Sequence, residues 1–172
     1  EGRRDLDPVR QRLWDLIPEC PDCDWLLLTK RPQNILRMVP PAWLERWPRN
    51  VWTGTTCETQ RWAGIRLPFL ERVPAPVRFV SAEPLLEPLD LSPYFGFTNW
   101  ILIGGESGHG ARRMDPAWAR DLIAQCKAAG VAVHFKQKGA ILARELGCKD
   151  RAGKKPEEWP ADLRIQEFPA LA

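Results

Sequence analysis

Apolar positions along the chain follow two alternating rhythms: short unbroken runs, and stripes three to four residues apart. The runs are Trp25 to Thr29, Val51 to Thr56, Val77 to Ser81, Trp100 to Gly105 and Val131 to Phe135. Each is preceded by proline, glycine, asparagine or aspartate. Continuous apolar runs of this length are what strands covered on both faces in a parallel sheet show. The stripes lie between the runs. Asp7-Pro8 reads as a helix N-cap with proline in the first turn, and Val9, Leu13, Leu16 and Ile17 follow at helical spacing. Residues 18–24 read as a turn. Ile35, Leu36 and Val39 mark a short helix, and residues 41–47 mark another. A helix from about Glu58 carries Trp62 and Ile65 on one face. Residues 85–94 read as an irregular crossing loop. Asp115-Pro116 repeats the capping signal ahead of Trp118, Leu122, Ile123 and Cys126, and Gly130 suits the C-cap.

Strand and helix therefore alternate along the chain. That succession predicts an α/β domain, either part of a TIM-like (βα) barrel or an open parallel sheet of about five strands with flanking helices. Five strands fall short of a closed eight-stranded barrel, which takes about 250 residues. The domain is expected over residues 1–140, with residues 141–172 as a polar C-terminal tail packed on it or trailing it. Its last apolar signal is Leu163-Arg164-Ile165.

Composition changes this picture little. The 172 residues are 44% hydrophobic and 27% charged, as in ordinary globular domains. Lys and Arg number 25 against 22 Asp and Glu, so the net charge of +3 does not by itself mark a nucleic-acid binder. No apolar run approaches the ~18 residues of a membrane span, and no signal segment opens the chain. A cytoplasmic protein is expected, with its five cysteines reduced. The chain opens on Glu1 with a helix almost at once, which reads as a piece of something longer.

In parallel α/β folds, chemistry sits at the C-terminal ends of the strands. After the first run come Lys30 and Arg31, and after the second Cys57 and Glu58. After the third come Ser81 and Glu83, and after the fourth Glu106, Ser107, Arg112 and Arg113. Lys136, Gln137 and Lys138 follow the fifth. A ring of charge at one face is either a functional site or a set of structural salt bridges. Glu83 and Glu106 are the candidate general acid and base. The Gly104-Gly105-Glu106-Ser107 turn either offers backbone N–H groups to a ligand or only permits a tight turn. Cys20-Pro21-Asp22-Cys23 has no second cysteine pair in range, and it precedes its strand, so it belongs to the opposite face. His134 lies inside a run and reads as packed, whereas His109 lies in the glycine-rich turn.

Several of these segments carry a resemblance. They are Leu28-Thr29-Lys30-Arg31-Pro32, residues 51–58, residues 78–86, residues 104–108 and Phe135-Lys136-Gln137. Together and in this order they resemble the bacterial and phage protein family called gene product 37 / gene product 68, over about residues 5–139. Longer members of that family look like radical S-adenosylmethionine enzymes, with a three-cysteine iron–sulfur motif ahead of a TIM-like barrel. The resemblance implies the C-terminal part of such a barrel, with the cluster ligands absent from this chain. It implies cofactor and substrate pockets built from Glu83, Glu106 and Lys136 as catalytic candidates, with Gly104, Gly105, Ser107, Lys30 and Arg31 towards S-adenosylmethionine. Glu58, Arg112 and Gln137 are then expected towards substrate. The alternative is a non-catalytic module that binds a partner protein or nucleic acid, or that forms a homodimer through an exposed sheet edge.

Overall fold

The computed structural model describes residues 4–170. Five strands form one sheet: β1 (Trp25–Thr29), β2 (Val51–Thr56), β3 (Arg78–Ala82), β4 (Trp100–Gly104) and β5 (Ala132–Gln137). They lie in sequence order and every pair is parallel. The long helices are α1 (Asp7–Glu19), α4 (Gln60–Glu71) and α5 (Pro116–Ala129). The short ones are α2 (Ile35–Met38), α3 (Pro41–Glu45) and α6 (Ala140–Glu145). This is the α/β class that the alternation of runs and stripes predicts, with an open parallel sheet flanked by helices.

The two faces of the sheet differ. Val80, Ala82, Ile101, Ile103, Val133 and Phe135 pack in the main core with Ala63, Leu67 and Leu70 of α4 and Leu122, Ile123 and Cys126 of α5. Helices therefore cover that face. On the other face the register aligns Leu28, Gly54, Phe79, Trp100 and Ala132 across the sheet. Trp52, Phe79 and Trp100 form a small aromatic cluster there, with Val77 packed beside them. Phe168 of the tail lies against Trp100, with ring centroids 5.2 Å apart. Further along this face, toward the C-terminal strand ends, Thr56 aligns with Ser81.

The sheet edges also differ. The segment 165–167 runs antiparallel beside β5. Phe135 N–H donates to Ile165 O, Glu167 N–H donates to Val133 O, and His134 pairs with Gln166. Leu142, Trp159 and Leu163, which precede this segment, sit in the main core, so the C-terminal part is anchored to the domain. The outer edge of β1 carries no strand among the described residues, and Leu26 and Leu28 are exposed on it.

Three local readings need correction. Asp7 is the first residue of α1 rather than its cap: Leu6 occupies the cap position and makes no side-chain cap bond. The helix also runs through Pro18 to Glu19, so the turn starts later than the proline suggests. In α4, Trp62 and Ile65 face solvent, whereas Ala63, Arg66, Leu67 and Leu70 are buried. Trp62 stays out because the Arg66 guanidinium stacks on it, 4.2 Å from the ring centroid. The second capping signal is as read: Asp115 accepts from Ala117 N–H at 2.9 Å, and Gly130 takes the left-handed C-cap at φ 68°.

Candidate functional site

The strand ends carry three carboxylates, each with its own cation. Glu58 follows β2 and bonds Lys30 from the end of β1. Its second oxygen takes Arg66 Nη1 at 2.7 Å. Arg66 also donates to Thr56 O at 2.7 Å, and its side chain is only 7% exposed. Burial pulls the Glu58 carboxyl up, but the bond from Lys30 and the charges of Lys30 and Arg66 outweigh it. The net result is a carboxyl held below its ordinary 4.5. Cys57, next to this pair, is pushed up to about 12, chiefly by burial, and is a core thiol rather than a nucleophile.

Glu106 follows β4 and is gripped by one residue. Arg112 Nε and Nη2 reach its two oxygens at 2.8 and 2.7 Å, and Arg112 N–H adds a third bond at 2.8 Å. This planar fork holds the carboxyl down at about 2. Glu106 is therefore ionised at neutral pH and has no proton to give as a general acid. Its folded value lies below the unfolded one, so its contribution to stability is present above about 4.5 and fades as pH falls toward about 2. The pair is solvent-exposed, so we expect Glu106→Gln to lower the neutral-pH stability by at most about 1 kcal/mol. In urea titrations the gap between the two proteins should close across that acid window. A gap that stays constant with pH contradicts the assignment.

Glu83 follows β3 and leads into a cis Glu83-Pro84 peptide. Ser81 donates its hydroxyl to Oε2 at 3.2 Å, and Lys136 Nζ stands 3.4 Å from Oε1. This is the loosest of the three pairs. Lys136 is 56% exposed, so the ammonium is free to exchange partners. Behind it on the same face, His134 faces Trp100 and Phe168. Its Nδ1 is buried without a partner among the described residues. Burial lowers its proton affinity, which Glu83 partly restores.

The two glycines of the fourth turn do something other than cradle a ligand. Gly105 N–H donates to Gln137 O at 2.9 Å, so it is spent in the sheet. A Cβ on Gly104 would lie 2.6 Å from Glu83 Oε1, and one on Gly105 would lie 2.6 Å from the carbonyl carbon of Lys138. At Gly105 neighbouring backbone passes too close for a side chain, whereas at Gly104 the space is taken by the Glu83 side chain. Gln137 points the same way: its Nε2 donates to Gly105 O at 2.7 Å inside the fold. Ser107 is exposed in the turn beyond. Arg31 lines an apolar cavity of about 380 Å³ between α1 and β1, on the helix side, together with Trp14, Leu27 and Trp47. The ring of charge is thus mostly ion pairs within the chain, with Glu83 and Lys136 the loosest of them.

Residues 6–165 match the family described as protein of unknown function (DUF5131). The chain belongs to this family. Neither the curated proteins nor the solved structures contain a match. For a DUF5131 chain, then, the site has to be read from its own geometry. Sequence reasoning places Lys138 only as one more charge after β5 and does not single out Arg66. Arg66 shares the buried stripe of α4 with Ala63, Leu67 and Leu70, where an arginine reads as an interruption. The described cysteines do not converge. Cys20 and Cys23 lie before β1, at the opposite end of the sheet, and no group of three or more His, Cys, Asp and Glu is arranged to hold a metal among the described residues. No helix among those residues is long and apolar enough to cross a membrane.

Proposed function

We propose that this chain is the C-terminal part of a radical S-adenosylmethionine-like barrel protein of bacteria or phage, working in the cytoplasm. The supporting observation is the loose Glu83–Lys136 pair on a sheet face that no helix covers among the described residues. A parallel sheet in sequential order with helices on one side has the layout of a (βα) barrel segment, whose inner face would be the face carrying Glu83 and Lys136. S-adenosylmethionine ends in an amino acid, with an ammonium beside a carboxylate. Lys136 suits the carboxylate and Glu83 the ammonium, each exchanging its internal partner for the ligand's. Ser81 fixes the Glu83 carboxylate meanwhile. The residues therefore fit the cofactor's amino-acid end. They do not fit an iron–sulfur cluster, because this chain's cysteines are scattered. Cluster ligands would have to come from outside the described residues.

The test is calorimetric titration of S-adenosylmethionine into the protein expressed from its whole gene, with Glu83→Gln and Lys136→Met alongside. Binding that weakens by about tenfold or more in each variant, roughly the 1.4 kcal/mol of one charged contact, supports the reading. Equal binding by all three proteins, or no binding at all, removes it.

The bare edge of β1 favours a second reading, a binding module that pairs through this strand, with a homodimer as its simplest form. Light scattering tests the homodimer, which a monomer at high concentration rules out. A nucleic-acid partner gains nothing from Arg66 and Arg112, which are taken up by carboxylates.

A further inference from the structure

Lys138 stands just past the end of β5 and is fully buried, at 0% exposure. A lysine is almost never buried to this extent without a counter-charge. No carboxylate forms an ion pair with it among the described residues. Its Nζ has two partners, Glu158 O at 2.6 Å and Cys148 Sγ at 2.7 Å. The shaft has little room to move. Gly153 packs against it so closely that a Cβ there would stand 2.9 Å from Lys138 Cβ, and Trp159 closes the space by donating to Gly153 O. The nitrogen is therefore held against the sulfur by the surrounding chain.

The sulfur, by contrast, can be reached from outside. Cys148 is half-buried and lines an open cavity of about 550 Å³ with Gly108, Arg144 and Arg151. A small oxidant entering that cavity meets the thiol first and finds the amine directly behind it. The 2.7 Å separation is too long for a sulfur–nitrogen bond. It matches the span of two single bonds through one bridging atom.

We propose that Lys138 and Cys148 are a modification site, which peroxide converts to a covalent nitrogen–oxygen–sulfur bridge. One peroxide transfers oxygen to the thiol, giving the sulfenic acid and water. After Lys138 has lost its ammonium proton, a second peroxide forms the nitrogen–oxygen bond. The sulfenic hydrogen and one amine hydrogen leave, and two more waters are released. Sulfur and nitrogen each give up two electrons, and the two peroxides accept all four. The bridge ties the end of β5 to the segment after α6, close to the turn that carries Glu106.

The test treats the full chain with hydrogen peroxide in a Cys20→Ser/Cys23→Ser background, which removes the exposed cysteine pair as a source of disulfide. The expected product is heavier by one oxygen and lighter by two hydrogens, and excess dithiothreitol opens it. Trypsin cuts after Lys136, Arg144 and Lys149, so the bridge should appear as peptides 137–144 and 145–149 joined to each other. Cys148→Ser, a change at a half-buried position, should abolish the product. Lys138→Met should also abolish it, and the cysteine variant suffices if the lysine variant fails to fold. Peroxide that adds only oxygens, on Cys148 or on methionine, with trypsin still cutting after Lys138 and residues 139–144 recovered apart from 145–149, overturns the proposal.

Discussion

Gly105→Ala is expected to cost about 3 kcal/mol of stability, at the upper end of what overpacking does. The reason is what its Cβ would meet. The nearest atoms belong to the Lys138 backbone and to Gly139 Cα, so no side chain can swing aside. The chain would have to part β4 from the β5–α6 turn, breaking the bonds from Gly105 N–H to Gln137 O and from Ala140 N–H to Glu106 O. Gly96→Ala is the control, since nothing lies within 4 Å of the Cβ it would add. In urea unfolding, Gly105→Ala should shift the midpoint strongly and Gly96→Ala hardly at all. A Gly105→Ala protein with the parent midpoint would mean that these two turns are not in close approach.

Glu58→Ala should cost about 3–5 kcal/mol, the range for stripping one partner from a buried ion pair. Lys30 is half-exposed and returns to water at little cost. Arg66 cannot, because its side chain is 7% exposed and its Nε already lacks a partner among the described residues. The loss thus comes from the stranded guanidinium rather than from the bond itself. Glu58→Leu combined with Arg66→Met should recover most of it, since replacing a buried pair by apolar groups is often near neutral. If the double variant is as unstable as Glu58→Ala, the burial of Arg66 is not the cause. Because the Glu58 carboxyl is held below its ordinary value, the pair stabilises above that value. Its contribution is lost as acid carries the pH down through the lowered one.

The sequence made the five strands legible because each is a short apolar run between breakers. It made α5 legible because both of its ends carry side-chain or glycine signals. It misplaced the buried face of α4 because Trp62 and Ile65 are its bulkiest apolar residues, whereas an arginine inside the stripe reads as an interruption. Only the carboxylate from the β2 end turns Arg66 into a core residue, and that contact joins residues eight apart through a turn. The strand-end ring was legible as a set of charges but not as pairs. Which cation takes Glu106 depends on how residues 107–111 fold back, and no local spacing encodes that. The Gly104-Gly105 signal was real, but its cause lies in the neighbouring strands, at Glu83 and Lys138. Lys138 itself looked like one more charge after β5. Its burial depends on Gly153 and Trp159, which arrive from the far end of the chain.

The unequal edges of the sheet limit how it can grow. Segment 165–167 covers the β5 side and leaves only a three-residue edge there, whereas β1 offers a longer row of unpaired backbone groups. Two copies that meet along β1 use up the longer row on both. Each then presents only its short side, the kind of edge that natural sheets use to discourage further pairing. Edge pairing of this sheet therefore favours a two-fold pair over a growing fibre.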